Sequence, residues 1–177
     1  MNVLSICGSL REGSSTAKAL DIATEAAREV GANVEVLHLG QFDLPFCDGR
    51  DDELSYGGNV PALIAMVERA DGLIIGSPNY HGSFTGVLKN ALDLLGPEAI
   101  RDKLVGLVAT ARGDAGAMNT LNHLRHVCRW MNGWVLPVEV SIPRAHESLH
   151  ANVDEKLRNQ LVLLGRELVR YNGLIQK

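Results

Sequence analysis

Short apolar runs alternate along this chain with longer stretches whose apolar residues recur at helical spacing. Residues 3–7, Val-Leu-Ser-Ile-Cys, form the first run, and their near-continuous apolar character suits a strand covered on both faces. Residues 14–30 read as a helix, with Leu20, Ala23, Ala27 and Val30 on one stripe and Gly31 placed to end it. Residues 34–39 form a second strand. Residues 61–70 form a helix with Pro61 in its first turn, residues 72–76 a third strand, residues 86–95 a helix and residues 104–109 a fourth strand. Leu121, Leu124, Val127 and Met131 make the next helical stripe, and residues 134–142 contain a fifth strand. A closing helix over residues 154–171 carries Leu157, Leu161, Leu164 and Leu168 on one face. Five β/α units in succession predict an α/β fold, with a parallel sheet and helices on both faces. They fit the doubly wound order 2-1-3-4-5, which periodicity alone does not fix.

Between the second strand and the next helix, residues 41–60 follow neither period. They carry Pro45, Gly49, the acidic Asp51-Asp52-Glu53 and Gly57-Gly58. A loop of this length in a small domain is usually functional or interfacial. No repeat or low-complexity tract divides the chain, so residues 1–177 are expected to form one domain. A net charge of -4 gives no reason to expect nucleic acid or an anionic membrane as partner. No apolar stretch approaches the roughly 20 residues that span a bilayer. No basic leader segment precedes the first strand, so no secretory signal is expected. Cys7, Cys47 and Cys128 are odd in number, widely spaced and without a Cys-x-x-Cys pair. That spacing predicts neither a metal site nor a disulfide framework, and a cytoplasmic location follows as the expectation.

The candidate chemistry lies in loops that leave the carboxyl ends of strands, the edge where open α/β sheets bind ligands. After the first strand comes Gly8-Ser9-Leu10-Arg11-Glu12-Gly13-Ser14-Ser15-Thr16. The first N–H groups of a helix have no partner within it, so such a loop cradles an anion. Ser9, Ser14, Ser15 and Thr16 add hydroxyls, and Arg11 a fork that matches phosphate oxygens. The simpler reading has Ser14 or Ser15 merely capping the helix, and one hydroxyl can cap while others bind. The loop lacks Gly-x-x-x-x-Gly-Lys-Ser/Thr and Gly-x-Gly-x-x-Gly, which argues against a P-loop nucleotidase and a dinucleotide fold. After the third strand, Ser77-Pro78-Asn79-Tyr80-His81-Gly82 combines rigidity, amide donors and a planar side chain suited to a flavin ring. His81 reads as a hydrogen-bonding or packing residue rather than a catalytic base, and Lys89 with Asp93 as a local ion pair. No Gly-x-Ser-x-Gly elbow frames a hydrolase serine. A third loop, from Thr110 through Ala111, Arg112 and Gly113 to Gly116, leaves the fourth strand on the same edge. Arg112 there is either a solvated charge or a group that favours the anionic reduced flavin.

Together these segments resemble the NADPH-dependent FMN reductase family of flavodoxin-like proteins, which includes quinone, azo-dye and chromate reductases. The resemblance runs from Gly8-Ser9-Leu10-Arg11 and Ser14 through Ala70-Asp71-Gly72 and Pro78-x-Tyr80. It continues in Gly86-x-Leu88-Lys89-Asn90-x-Leu92-Asp93 and ends at Leu136-Pro137. It implies a three-layer α/β/α sandwich with a five-stranded parallel sheet in the order 2-1-3-4-5. It also implies FMN and NADPH or NADH as cofactors. The FMN phosphate maps onto Ser9, Arg11, Ser14, Ser15 and Thr16. The isoalloxazine maps onto Pro78, Asn79, Tyr80, His81 and Gly82, with Ala111, Arg112 and Gly113 bordering it. The implied assembly is a homodimer or homotetramer, with residues 46–56 reaching toward a neighbour's site. The chain departs from the family pattern in places: Thr16 stands where many relatives have asparagine, Asn79 replaces a frequent glutamate, and His81-Gly82 replaces a frequent asparagine and a variable residue.

The expected activity passes hydride from NAD(P)H through FMN to a small-molecule acceptor such as a quinone, free flavin, azo dye or oxidised metal ion. No protein group is expected to act as acid, base, nucleophile or metal ligand, since the cofactor carries the chemistry. Two other readings share the fold: a flavodoxin-type one-electron carrier, which the mild net charge disfavours, and a non-redox binding module.

Overall fold

The computed structural model describes residues 1–150 and 153–175. Its strands are β1 (Asn2–Cys7), β2 (Asn33–His38), β3 (Gly72–Pro78), β4 (Leu104–Thr110) and β5 (Trp134–Ile142). Its helices are α1 (Ser15–Glu29), α2 (Val60–Arg69), α3 (Gly86–Asp93), α4 (Met118–Trp130), α5 (Ala145–Ser148) and α6 (Glu155–Ile175). The strands form one parallel sheet in the order β2-β1-β3-β4-β5, with Ile6 beside Ile75 and Thr110 beside Ile142. This is the flavodoxin-like α/β/α sandwich.

Alternation along each strand divides the core in two. Leu4 and Ile6 of β1 join Leu73 and Ile75 of β3 under Leu63, Leu88 and Leu121 of α2, α3 and α4. Val3 and Cys7 point the other way and join Ile74, Val108 and Val140 under Ala19, Ala23, Leu161 and Leu164 of α1 and α6. Both faces of the central strands are therefore dry, which explains their continuous apolar runs. α1 and α6 approach closely at Gly165, where a Cβ would collide with the Ala23 carbonyl oxygen.

Several boundaries differ from the sequence reading. β3 runs on through Ser77 and Pro78, paired with Ala109 and Thr110. Pro78 ends the strand, and the ladder resumes with the Asn79 N–H donating to the Thr110 carbonyl at 2.7 Å. α3 stops at Asp93, ahead of Gly96-Pro97, and α6 extends to Ile175. α5, one turn long, was below the length that periodicity can register. Residues 41–60 are largely irregular, with single 3₁₀ turns at Leu39–Gln41 and Glu53–Tyr56. Pro137 lies in β5 where its register against β4 shifts, an edge-strand irregularity that accommodates the missing N–H. Lys89 and Asp93 do pair, with Nζ 2.5 Å from Oδ1.

Candidate flavin site

The loops after β1, β3, β4 and β5 enclose a cavity of about 660 Å³, a volume typical of small-ligand sites. From the first loop come Ser9, Arg11, Ser14, Ser15 and Thr16, and from the second Pro78, Asn79, Tyr80 and His81. The third supplies Thr110, Ala111 and Arg112, and α5 supplies Ala145 and His146. Gly82 and Gly113 flank these residues without lining the cavity. The sequence reading did not single out Thr110, Ala145 and His146 as site residues. Thr110 and the start of α5 sit at the carboxyl ends of β4 and β5, so their strand positions were the available signal.

The first loop combines capping with open donors. Ser14, nearly buried, caps α1 by accepting the Ala17 N–H at 3.1 Å. The Ser15 and Thr16 N–H groups precede the first intrahelical bond, from Lys18 N to the Ser14 carbonyl, and make no hydrogen bond among the described residues. Ser9 Oγ accepts the Arg11 N–H at 3.2 Å, which tightens the turn, while the Arg11 guanidinium is exposed and has no carboxylate partner among the described residues. The Thr16 hydroxyl is 2.8 Å from that of Thr110. One hydroxyl hydrogen joins the two, which leaves the pair one more to donate. Beneath the loop lies the Cys7 thiol, pushed up by burial against the opposing hydrogen bonds of Ser9 and Ser14, so it stays protonated at neutral pH.

The second loop is a miniature hairpin. Tyr80 and Ser83 exchange both backbone hydrogen bonds, at 2.9 and 3.2 Å. His81 and Gly82 between them have φ of 53° and 86°. Positive φ at both central residues is the type I′ pattern of a two-residue hairpin, glycine's natural place and one that histidine tolerates. The hairpin holds Tyr80 half exposed at the cavity. Asn79 donates from its amide to the Gly116 carbonyl at 3.3 Å, while its Oδ1 is buried with no partner among the described residues. Thr85 caps α3 and donates to the Gly8 carbonyl at 2.7 Å, which fixes the first two loops relative to each other.

These groups fit a phosphorylated flavin. Free helix-terminal N–H groups, hydroxyls and an unpaired arginine suit a phosphate monoester. Pro78, Tyr80, Ala111 and Ala145 offer apolar surface for a planar ring, and the Asn79 amide lies beside them. Among the described residues no group of three or more metal-ligating side chains occurs, and no helix is long and apolar enough to cross a membrane.

Comparison with known proteins agrees with this architecture. The chain is 31% identical over 172 residues to an NAD(P)H-dependent FAD/FMN reductase of Geobacillus thermodenitrificans, covering 96% of this chain and 92% of that protein. It is 33% identical over 144 residues to an FMN-dependent NADPH-azoreductase of Staphylococcus saprophyticus, with 80% and 76% covered. Among solved structures it shares its fold with an NADH:FMN oxidoreductase (EMOB) in apo form, at a TM-score of 0.76 and 24% identity, covering 98% of this chain and 89% of that one. The Paracoccus denitrificans flavoenzyme NAD(P)H:(acceptor) oxidoreductase (FerB) has the same fold at a TM-score of 0.73 and 24% identity, with 98% and 97% covered. The sequence pattern of the NADPH-dependent FMN reductase family matches residues 1–147, and the chain belongs to that family.

Proposed function

We propose that this protein is a single-domain NAD(P)H-dependent flavoenzyme that transfers reducing equivalents through FMN to small-molecule acceptors. The observation that carries the reading is the cavity at the carboxyl edge of the sheet, where the segments after β1, β3, β4 and β5 bring anion donors and an apolar wall together. Ser9, Arg11, Ser14, Ser15 and Thr16 hold the phosphate. Pro78, Asn79, Tyr80, His81 and Gly82 carry the ring, with Ala111, Arg112 and Gly113 along its border.

Bound there, FMN supplies the hydride-accepting and hydride-donating chemistry. The chain supplies alignment. The Thr85 bond to Gly8 keeps the phosphate and ring loops in register, and the Tyr80–Ser83 hairpin keeps the wall rigid. Geometry of this kind accounts for a large part of a hydride-transfer rate without a protein acid or base. Quinones, flavins and azo compounds are the acceptor classes we assign, in a reducing cytoplasm, with homodimers or homotetramers as the assembly.

The test is an anaerobic visible spectrum of FMN-reconstituted, desalted protein before and after NADPH or NADH. Retained flavin that bleaches without any second protein is the expected result. Retained flavin that resists both nucleotides would make the protein a carrier reduced by another enzyme. Absence of both flavin retention and NAD(P)H-dependent reduction of added FMN would make it a non-redox relative.

A further inference from the structure

Apart from the Tyr80 phenol, every ionisable side chain lining the cavity is basic: Arg11, His81, Arg112 and His146. None of the chain's 21 Asp and Glu residues lines it, although they outnumber the 17 Lys and Arg. Arginines elsewhere hold carboxylates, as Arg28, Arg69, Arg125 and Arg166 do. Arg112 is exposed and holds none among the described residues. Acidic groups do lie near this rim. Glu147 lies 3.3 Å from His146 Nε2 and 3.9 Å from Arg144 Nε, and Asp114 lies 3.3 Å from Arg144 Nε. None of these three carboxylate and guanidinium partners lines the cavity. Just beside it, Lys18 Nζ and His150 Nδ1 meet at 2.9 Å, which adds further basic groups near the first turn of α1.

One phosphate monoester carries about two negative charges. Arg11, the serine hydroxyls and the first turn of α1 already answer it. Arg112 and His146 come instead from the loops after β4 and β5, past Thr110, whose hydroxyl meets that of Thr16 in the first turn of α1. Arg112 has no carboxylate partner among the described residues, and Glu147 beside His146 does not line the cavity.

We infer that Arg112 and His146 form a second anion subsite, which takes an oxyanion carried by the ligand that meets the flavin rather than the flavin's own phosphate. The inference rests on the FMN reading above. Its ligand class is a phosphate, carboxylate or sulfonate on a flat redox partner. Two sources offer that chemistry: the phosphates of the pyridine nucleotide, and an anionic substituent on the acceptor.

The experiment compares wild-type protein with an Arg112→Gln/His146→Gln double variant by calorimetric titration of the FMN-loaded protein. The probes are NADP⁺, anthraquinone-2-sulfonate and the neutral 2-(hydroxymethyl)anthraquinone, each at low and high salt. Both side chains are exposed, so the thermal midpoint should not move. A roughly tenfold loss of NADP⁺ affinity, smaller at high salt, assigns the subsite to the nucleotide. The same loss for the sulfonate but not the neutral quinone assigns it to the acceptor. Unchanged affinity for NADP⁺ and the sulfonate overturns the inference, and so does an equal loss for both quinones, which is a steric effect. A fall in FMN affinity alone also overturns it, because the pair then serves the cofactor. Protein that retains no flavin bears on the FMN reading separately. The same titrations on that protein still read the subsite, with salt-sensitive anion binding lost in the variant supporting it and no such binding overturning it.

Discussion

Arg11 and Thr85 show how differently two polar residues of one site behave. The Arg11 guanidinium is exposed and touches no carboxylate among the described residues, so its removal leaves the fold intact. A charge-assisted hydrogen bond to phosphate is worth about 1.5–3 kcal/mol, so Arg11→Ala is expected to weaken FMN binding on the order of 10- to 100-fold. Flavin-fluorescence titration measures this, and unchanged affinity would remove Arg11 from the phosphate site. Thr85 is buried and bonds in two directions, so its loss costs both a cap and the tie to Gly8. The two buried thiols, by contrast, behave alike. Burial pushes Cys128 up to about 12 and raises Cys7 as well. A thiol that stays protonated when folded but ionises when unfolded stabilises the fold below pH about 9 and loses that contribution as pH climbs toward its folded value. Stability should therefore fall by up to about 1.4 kcal/mol per pH unit for Cys128 above pH 9, a slope that Cys128→Ala removes. Denaturation midpoints between pH 9 and 11 test it, and parallel slopes in the two proteins would refute it.

At the level of elements, the apolar runs made five strands and the main helices legible, because strands buried on both faces leave an unbroken signal. What stayed illegible depended on partners rather than composition. β3 gains Ser77 and Pro78 only because Ala109 and Thr110 lie alongside. α5 is too short to show a period, and with it went His146. The loops after β1 and β3 could be placed at the cavity from the strand ends they leave, whereas the hairpin that shapes the second loop depends on the exchange between Tyr80 and Ser83. That hairpin makes His81 a turn residue as well as a cavity residue. Asparagine tolerates positive φ and valine does not, so His81→Asn should preserve flavin retention and His81→Val should lower it, a contrast measured by flavin content after desalting. If both fall equally, the imidazole itself matters. A second element-scale prediction concerns Gly165. An added methyl meets the Ala23 carbonyl, and two packed helices cannot both keep their positions. Gly165→Ala is expected to destabilise by about 1–3 kcal/mol, seen as a lower denaturation midpoint, and an unchanged midpoint would show that the α1–α6 contact yields easily.

For the whole molecule, the segment between β2 and α2 is where the proposed assembly can be tested. It leaves the same edge of the sheet as the cavity loops and is too irregular to be held by backbone ladders. Side chains hold it instead. Asn90 of α3 accepts the Cys47 N–H at 2.9 Å and donates to the Pro45 carbonyl at 2.9 Å. The Tyr56 hydroxyl accepts the N–H groups of Asp48, Gly49 and Arg50 at 3.0, 3.0 and 3.3 Å. Arg50 stacks 4.2 Å over the Tyr56 ring. The outcome is an ordered segment that leaves Phe46 87% exposed in the single chain. A bulky aromatic side chain carried on a backbone held in this way suits an anchor for the second copy proposed above. Burying a phenylalanine contributes about 1.5–3 kcal/mol per copy, so Phe46→Ser should raise a dimer dissociation constant at least about tenfold while the monomer's fold is untouched. Tyr56→Phe should shift assembly in the same direction by a different route, since it loosens the segment without altering Phe46. Sedimentation across a concentration series distinguishes the cases. Weakened assembly in both variants supports a preorganised anchor, weakening in Phe46→Ser alone supports an anchor that needs no preorganisation, and an unchanged profile in both removes Phe46 from any contact between copies.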